Sequence, residues 1–352
     1  MALGGRKGPA ALAAALAVWA AVWATGSFAQ CAPEAYTVQT GDTVFTIAER
    51  RYGDPEKWTL IYYANEDRLR SSVFQVSPGD VLDLPCQEGE VRADATPLRQ
   101  GPDNAEMKLI TGSNYAPFTD REWPGQGMVT ELVNAALEAT PSPVTYSITW
   151  QDDWSKHLFP ILDSKEADMG FPWLKPNCAQ TPDNERCANF HFSDPLVEIL
   201  VLLFTRPDSG FVYDTDADVI GKVLCRPKGY FTHDLDRPGR EWLNRGLITL
   251  VQADDPQACF RELMAGRVDA VTVNVFLGAK TIDDMGLRGQ VVPLDKPLSV
   301  EGLHVIISKK HWRGTTHLYR INAGLAELKK TDRYSQIVSR HLGVFWDQIK
   351  TN

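Results

Sequence analysis

The chain has 352 residues, of which 43% are hydrophobic and 23% charged, with 10 Trp, 10 Tyr and 14 Phe. That is enough apolar surface for two or three packed domains, and it excludes a disordered or collagen-like chain. Lys and Arg number 36 against 45 Asp and Glu, a net charge of −9, so there is no general basic bias toward nucleic acid or anionic membrane.

Residues 1–29 read as a cleaved secretory signal. Arg6 and Lys7 precede an apolar run from Pro9 to Trp23, and Ser27-Phe28-Ala29 supplies small residues for cleavage after Ala29. Cleavage takes the net charge to −11. Gln30 is too large for the lipoprotein cut before Cys31. No later apolar run is long enough to span a bilayer, so the expected location is periplasmic. Export makes the six cysteines readable as three disulfides, although six allow 15 pairings. Position along the chain favours Cys31–Cys86, Cys178–Cys187 and Cys225–Cys259. A zinc site on Cys178, Cys187 and His191 is the rival, but the spacing between the two cysteines is a poor match to the usual short clips.

Between the first two cysteines the pattern is strand, helix, helix, strand. A strand begins at Tyr36, and a helix with Val44, Ile47, Ala48 and Tyr52 on its apolar face follows, with Asp42 or Thr43 as its N-cap. Gly53-Asp54-Pro55 breaks that helix. A second helix runs from Glu56 to Asn65, and Pro78-Gly79 turns into the strand Val81–Leu84. So small a unit has little core of its own, which fits a disulfide across its ends. Tyr-x-Val-x-x-Gly-Asp-Thr at 36–43, Tyr52-Gly53-Asp54, Trp58, Ile61, Ala64-Asn65 and Pro78-Gly79-x-x-Leu-x-Leu-Pro together resemble a LysM domain over residues 30–86. The resemblance implies binding of N-acetylglucosamine-containing glycan, here peptidoglycan. It places the groove on Gly41, Asp42, Thr43 and Val44 and on the 76–80 turn with Pro78 and Gly79. Gly41 and Asp42 equally suit a plain turn and cap.

Residues 87–105 lack apolar periodicity and read as a linker. Beyond them, strands at Lys108–Thr111, Val144–Trp150, Ala167–Phe171, Val219–Cys225, Val268–Val273 and Gly302–Ile307 alternate with helices. The predicted helices cover Gly127–Leu137, Trp154–Leu162, Ala258–Met264, Leu318–Leu328 and Tyr334–Leu342. The fold class is therefore α/β with largely parallel sheets. Tyr115-Ala116-Pro117-Phe118, Arg186 six residues before Phe192-Ser193-Asp194-Pro195, and Ala265-Gly266-Arg267-Val268-Asp269-Ala270 resemble the type 2 periplasmic solute-binding fold over 106–345, in particular its polar amino acid-binding family. The resemblance implies one lobe at 106–196 plus 301–345 and a second at 197–300, joined by two crossings. It also implies a small-molecule solute held between the lobes and an inner-membrane ABC permease as partner, with no cofactor or metal.

By that likeness Tyr115 packs on the solute, Trp154 falls one residue from a second aromatic position, and Arg186 grips a carboxylate in a bidentate pair that lysine cannot reproduce. Trp173 departs from the family, standing in Phe171–Pro176 where the family has a Ser/Thr-rich strand and turn, and adds an aromatic wall. Gly229, Tyr230, Phe231 and Thr232 form a donating loop, and Asn274 stands where the family carries an acid for the α-ammonium. The missing charge and the bulky aromatics argue for an anionic or aromatic solute, or a wall fragment, as readily as for a free amino acid. Trp154, Trp173 and Phe231 also suit core positions, and Arg186 a surface loop. Catalytic motifs of the Gly-x-Ser-x-Gly, His-Glu-x-x-His or phosphate-loop kind do not occur. Asp152, Asp153 and Glu185 suit helix caps better than catalysis, and the short stretch past Leu342 leaves no room for a hydrolase domain. The protein is expected not to be an enzyme. A wall-anchored sensor or scaffold is the alternative to a transport receptor.

Overall fold

The computed structural model describes residues 33–69, 74–86 and 104–351, besides Met1, Ala2 and Gly4. The expected signal segment, most of the linker and Cys31 lie outside the described residues. Glu34–Thr37 (β1), Val44–Tyr52 (α1), Trp58–Ala64 (α2), Glu66–Leu69 (α3) and Val81–Leu84 (β2) come first, with β1 and β2 antiparallel. Thr43 is the N-cap of α1: its hydroxyl accepts from the Thr46 N–H at 3.1 Å, while Asp42 serves the preceding turn. Cys86 is disulfide-bonded.

Then follow Met107–Thr111 (β3), Met128–Ala139 (α4), Tyr146–Trp150 (β4), Met169–Leu174 (β5), Glu185–Asn189 (α5), Phe190–Phe192 (β6) and Val197–Thr205 (β7). Val223–Pro227 (β8), Thr249–Ala253 (β9), Pro256–Met264 (α6), Ala270–Asn274 (β10), Val275–Asp284 (α7), Val292–Pro293 (β11), Ser299–Ser308 (β12), Gly314–Lys329 (α8) and Asp332–Thr351 (α9) complete the order. Strands run β4-β3-β5-β12-β7-β10-β8-β9 in one mixed sheet. Its two ends, β4-β3-β5 and β10-β8-β9, are internally parallel. The long central strands β7 and β12 pair antiparallel, Val197 with Leu303 through Val201 with Ser299, and carry the chain from one end to the other.

Three expectations change. The helix at Trp154–Leu162 is interrupted: Phe159 is extended, and Pro160 lacks the N–H that a continuous ladder needs. The strand expected at Val219–Cys225 starts only at Val223, because Thr215 and Asp218 cap a tight turn over Asp216–Val219 and Gly221 takes a positive φ of 79°. Strand β7 had no counterpart among the expected elements, since a run buried on both faces has no alternation to mark it.

The N-terminal module is also not held by a linker alone. Residues 32–352 form one unit, and a single apolar cluster runs from Trp58 and Tyr62 to Phe276 and Trp346. The Trp346 indole N–H donates to Thr59 Oγ1 at 2.7 Å inside that contact. Lys57 pairs with Asp347 at 2.7 Å, the Tyr63 hydroxyl donates to the Glu198 carbonyl at 2.7 Å, and the Tyr63 ring stacks near Phe276. Helix α9 therefore extends past Leu342 to meet α2. Helix α8 lies so close on α4 that a Cβ on Gly324 would sit 1.9 Å from the Ala136 carbonyl.

Candidate functional site

A cleft of about 760 Å³ opens between the two ends of the sheet, within the usual range for small-molecule sites. Ile199, Val201 and Leu303 of the crossing strands line it, with Thr272, Val273 and Asn274 of β10. Tyr115, Trp154, Trp173, Arg186, Gly229, Tyr230, Phe231, Thr232 and Asn274, chosen from separate segments of the chain, all lie on its wall.

Tyr115 and Trp154 meet edge to face with centroids 6.3 Å apart, and Trp154 meets Trp173 in the same way at 5.9 Å. The Trp173 indole N–H is buried without a partner. Strand β5 carries Trp173 outward to the Cys178–Cys187 loop, whose ends are held at a Cα separation of 5.3 Å. That bond removes the zinc alternative on these cysteines. Next to Cys187, the Arg186 guanidinium lies 5.0 Å over the Trp173 ring, an attractive cation–π arrangement. It donates weakly to the Leu174 carbonyl at 3.4 Å and pairs with no carboxylate among the described residues. Desolvation lowers its pKa, so a ligand anion would relieve a real cost there.

The opposite wall is the loop after β8. Gly229 takes a φ of +80°, the left-handed region that favours glycine. Burial pushes the Tyr230 hydroxyl up to about 12 and raises the Tyr115 hydroxyl as well, so both stay protonated donors near neutral pH. The loop is held by a residue that sequence reasoning missed. Arg226 is buried and makes a bidentate pair with buried Asp234 at 2.6 and 2.9 Å. It also donates to the Phe231 carbonyl at 2.6 Å and Thr272 Oγ1 at 2.9 Å. Its Nε is buried without a partner. An arginine directly after Cys225, itself bonded to Cys259 of α6, was the one available signal. His233 and Glu301 pair at 3.1 Å beside this loop.

Asn274 does not stand in for an acid. Its Oδ1 accepts the Phe276 and Leu277 N–H groups at 3.1 and 3.0 Å and caps α7. Only its amide donor remains for a ligand. Asp152 and Asp153 accept backbone N–H groups of Ser113 and Ser155 at 3.0 and 3.2 Å, as turn and cap residues do.

In the N-terminal module, Gly41, Thr43, Pro78 and Gly79 are exposed on adjoining turns, tied by Gly79 N–H to the Val38 carbonyl at 2.9 Å. The Asp42 carboxylate accepts from the Tyr36 hydroxyl at 2.6 Å and from Arg50, which leaves it largely committed. Val44 is fully buried in the core. Its side chain cannot line a groove, because it faces inward from the first turn of α1.

Asp168, His311 and His317 gather elsewhere with ligand atoms close enough together for a metal site. However, the Arg313 N–H donates to His311 Nδ1 at 3.0 Å, which puts the proton on Nε2, where it meets Asp168 at 2.8 Å. Arg320 likewise approaches His317 Nδ1. Neither ring presents its Nε2 lone pair to a cation.

No protein-family model matches the chain, and no curated protein is similar to it. Among solved structures, a histidine kinase sensor domain with similarity to periplasmic binding proteins matches with a TM-score of 0.50 at 21% identity, over 68% of this chain and 97% of that one. A mutant ArgBP from T. maritima matches with a TM-score of 0.46 at 23% identity, over 66% and 93%. The periplasmic VFT2 domain of BvgS from Bordetella pertussis gives 0.46 at 20%, over 66% and 92%. At these identities the likeness concerns the fold alone.

Proposed function

From the α/β fold shared with that sensor domain, we propose that the chain is a non-catalytic solute-binding protein that closes two lobes, 106–196 with 301–345 and 197–300, around a small molecule. The observation that carries the reading is the meeting of Arg186, an unpaired half-buried guanidinium, with aromatic side chains from both ends of the sheet in one cleft. Strands β7 and β12 are the two crossings about which the lobes would move, with closure driven by tighter binding of the closed form. The formed disulfides fit an oxidising, extracytoplasmic compartment. The 30–86 module, whose paired strands β1 and β2 flank helices α1, α2 and the short α3 and whose motifs resemble a LysM domain, would hold the protein to peptidoglycan through Gly41, Thr43, Pro78 and Gly79. Delivery to an inner-membrane ABC permease is the first use; a wall-held sensor is the second, favoured by the fold shared with a kinase sensor domain.

The test is thermal unfolding of the mature chain against amino acids, organic acids, amines and muropeptides, alongside sedimentation with peptidoglycan. A ligand at 100 times its dissociation constant adds about 2.7 kcal/mol. A hit lost in Arg186→Ala supports solute capture. No hit across the library overturns it, and failure to sediment overturns the wall association.

A further inference from the structure

An α-amino acid entering this cleft brings a carboxylate and an ammonium, and each must find an opposite partner once water is excluded. Arg186 can meet the first. For the second, the wall offers little. Among the described lining residues, Glu185 alone bears a carboxylate, and it is exposed. The nearby acids are taken: Asp234 by Arg226 in a bidentate pair, Glu301 by His233 at 3.1 Å. The Asn274 carbonyl oxygen already accepts two backbone N–H groups, leaving its amide donor. What remains carries no further negative charge: the Arg186 guanidinium and the unpartnered buried indole N–H of Trp173 only donate, and the Tyr115 and Tyr230 hydroxyls are neutral groups that donate or accept.

The body of the ligand is constrained by the same walls. Tyr115, Trp154 and Trp173 on one side face Tyr230 and Phe231 on the other. Because the guanidinium lies 5.0 Å over the Trp173 ring, an anion paired with it comes to rest beside aromatic faces. A flat or cyclic group attached to that anion then fills the space between them.

Resting on the solute-binding reading, we infer that the ligand is a ring-bearing organic carboxylate without a protonated amine. Two sources supply this chemistry, an aromatic acid or an N-acylated sugar acid.

The experiment is titration calorimetry of the mature chain with three matched pairs: 3-phenylpropanoate against L-phenylalanine, indole-3-propanoate against L-tryptophan, and N-acetylmuramate against muramate. The expected result is at least tenfold tighter binding of the amine-free member in one pair, abolished by Arg186→Ala. The pair that responds tells the two sources apart. Asn274→Asp, which keeps a capping oxygen for α7, should move the preference at least tenfold toward the amine-bearing member. Equal or tighter binding of the amine-bearing member overturns the inference. So does silence across all three pairs when another solute of the broad screen binds. Silence across the whole screen overturns solute capture as well.

Discussion

Replacing Arg226 by alanine should unfold the cleft wall before it alters any ligand contact. Both partners of the Arg226–Asp234 pair are buried, with side-chain exposures of 1% and 0%. The guanidinium also satisfies the Phe231 carbonyl and Thr272 Oγ1. Removing it strands an ionised carboxylate whose one remaining hydroxyl donor, Ser299, is 3.2 Å away. Breaking a buried pair in this way costs about 3–5 kcal/mol, which in a folded unit of this size lowers the unfolding midpoint by roughly 4–8 °C. The double replacement Arg226→Met/Asp234→Leu removes both charges and should recover most of the loss. About 1–3 kcal/mol should remain, because the Phe231 carbonyl and the Thr272 hydroxyl lose a donor. Urea and thermal unfolding of the two single variants and the double one measure this directly. A single-variant loss under about 1 kcal/mol, or a double variant worse than Arg226→Ala, would refute the account.

Trp346→Ala should cost about 3–5 kcal/mol, since the ring is 2% exposed and its N–H bonds Thr59; equilibrium unfolding in urea checks it, and an unchanged midpoint means the module does not dock through α9. Acid should destabilise the protein in two stages. Desolvation lowers His157, His304 and His341 and takes His317 down to about 4, so the unfolded chain binds more protons and stability falls as pH drops below about 6.5. Burial raises Glu131, but hydrogen bonds from His341 and Arg340 outweigh it and bring it to about 2; its stabilisation is present above its ordinary value of 4.5 and is lost as pH falls from there toward 2. A urea midpoint that stays flat from pH 7.5 to 4 contradicts this. Opening the Cys225–Cys259 bond by double alanine replacement releases a loop of 34 residues and should cost about 4 kcal/mol, read from thermal unfolding under non-reducing conditions.

Local chemistry made much of the chain legible. The Thr43 cap, the Pro78-Gly79 turn and the apolar face of α1 depend on neighbours within a few residues. The Cys178–Cys187 and Cys225–Cys259 pairings are short in sequence and were expected from position. Most of the nine candidate cleft residues were read from motif positions of a family resemblance, and the structure gathers all nine around one cleft, on facing walls. Other features are decided only in three dimensions. Strand β7 carries no alternation because both its faces are covered. Val44 and Asn274 were read from their motif positions, but the first turns into the core and the second spends its oxygen on a helix end. The contact of Trp346 with Thr59 joins residues 287 apart in sequence, and no periodicity encodes such a partner. Arg226 and Asp234 are only eight residues apart, yet their pairing rests on burial, which removes water and makes each charge depend on the other. Residue type and spacing determine which local structures and donors are available. Packing determines which donors are already spent, and hence what the cleft can still bind.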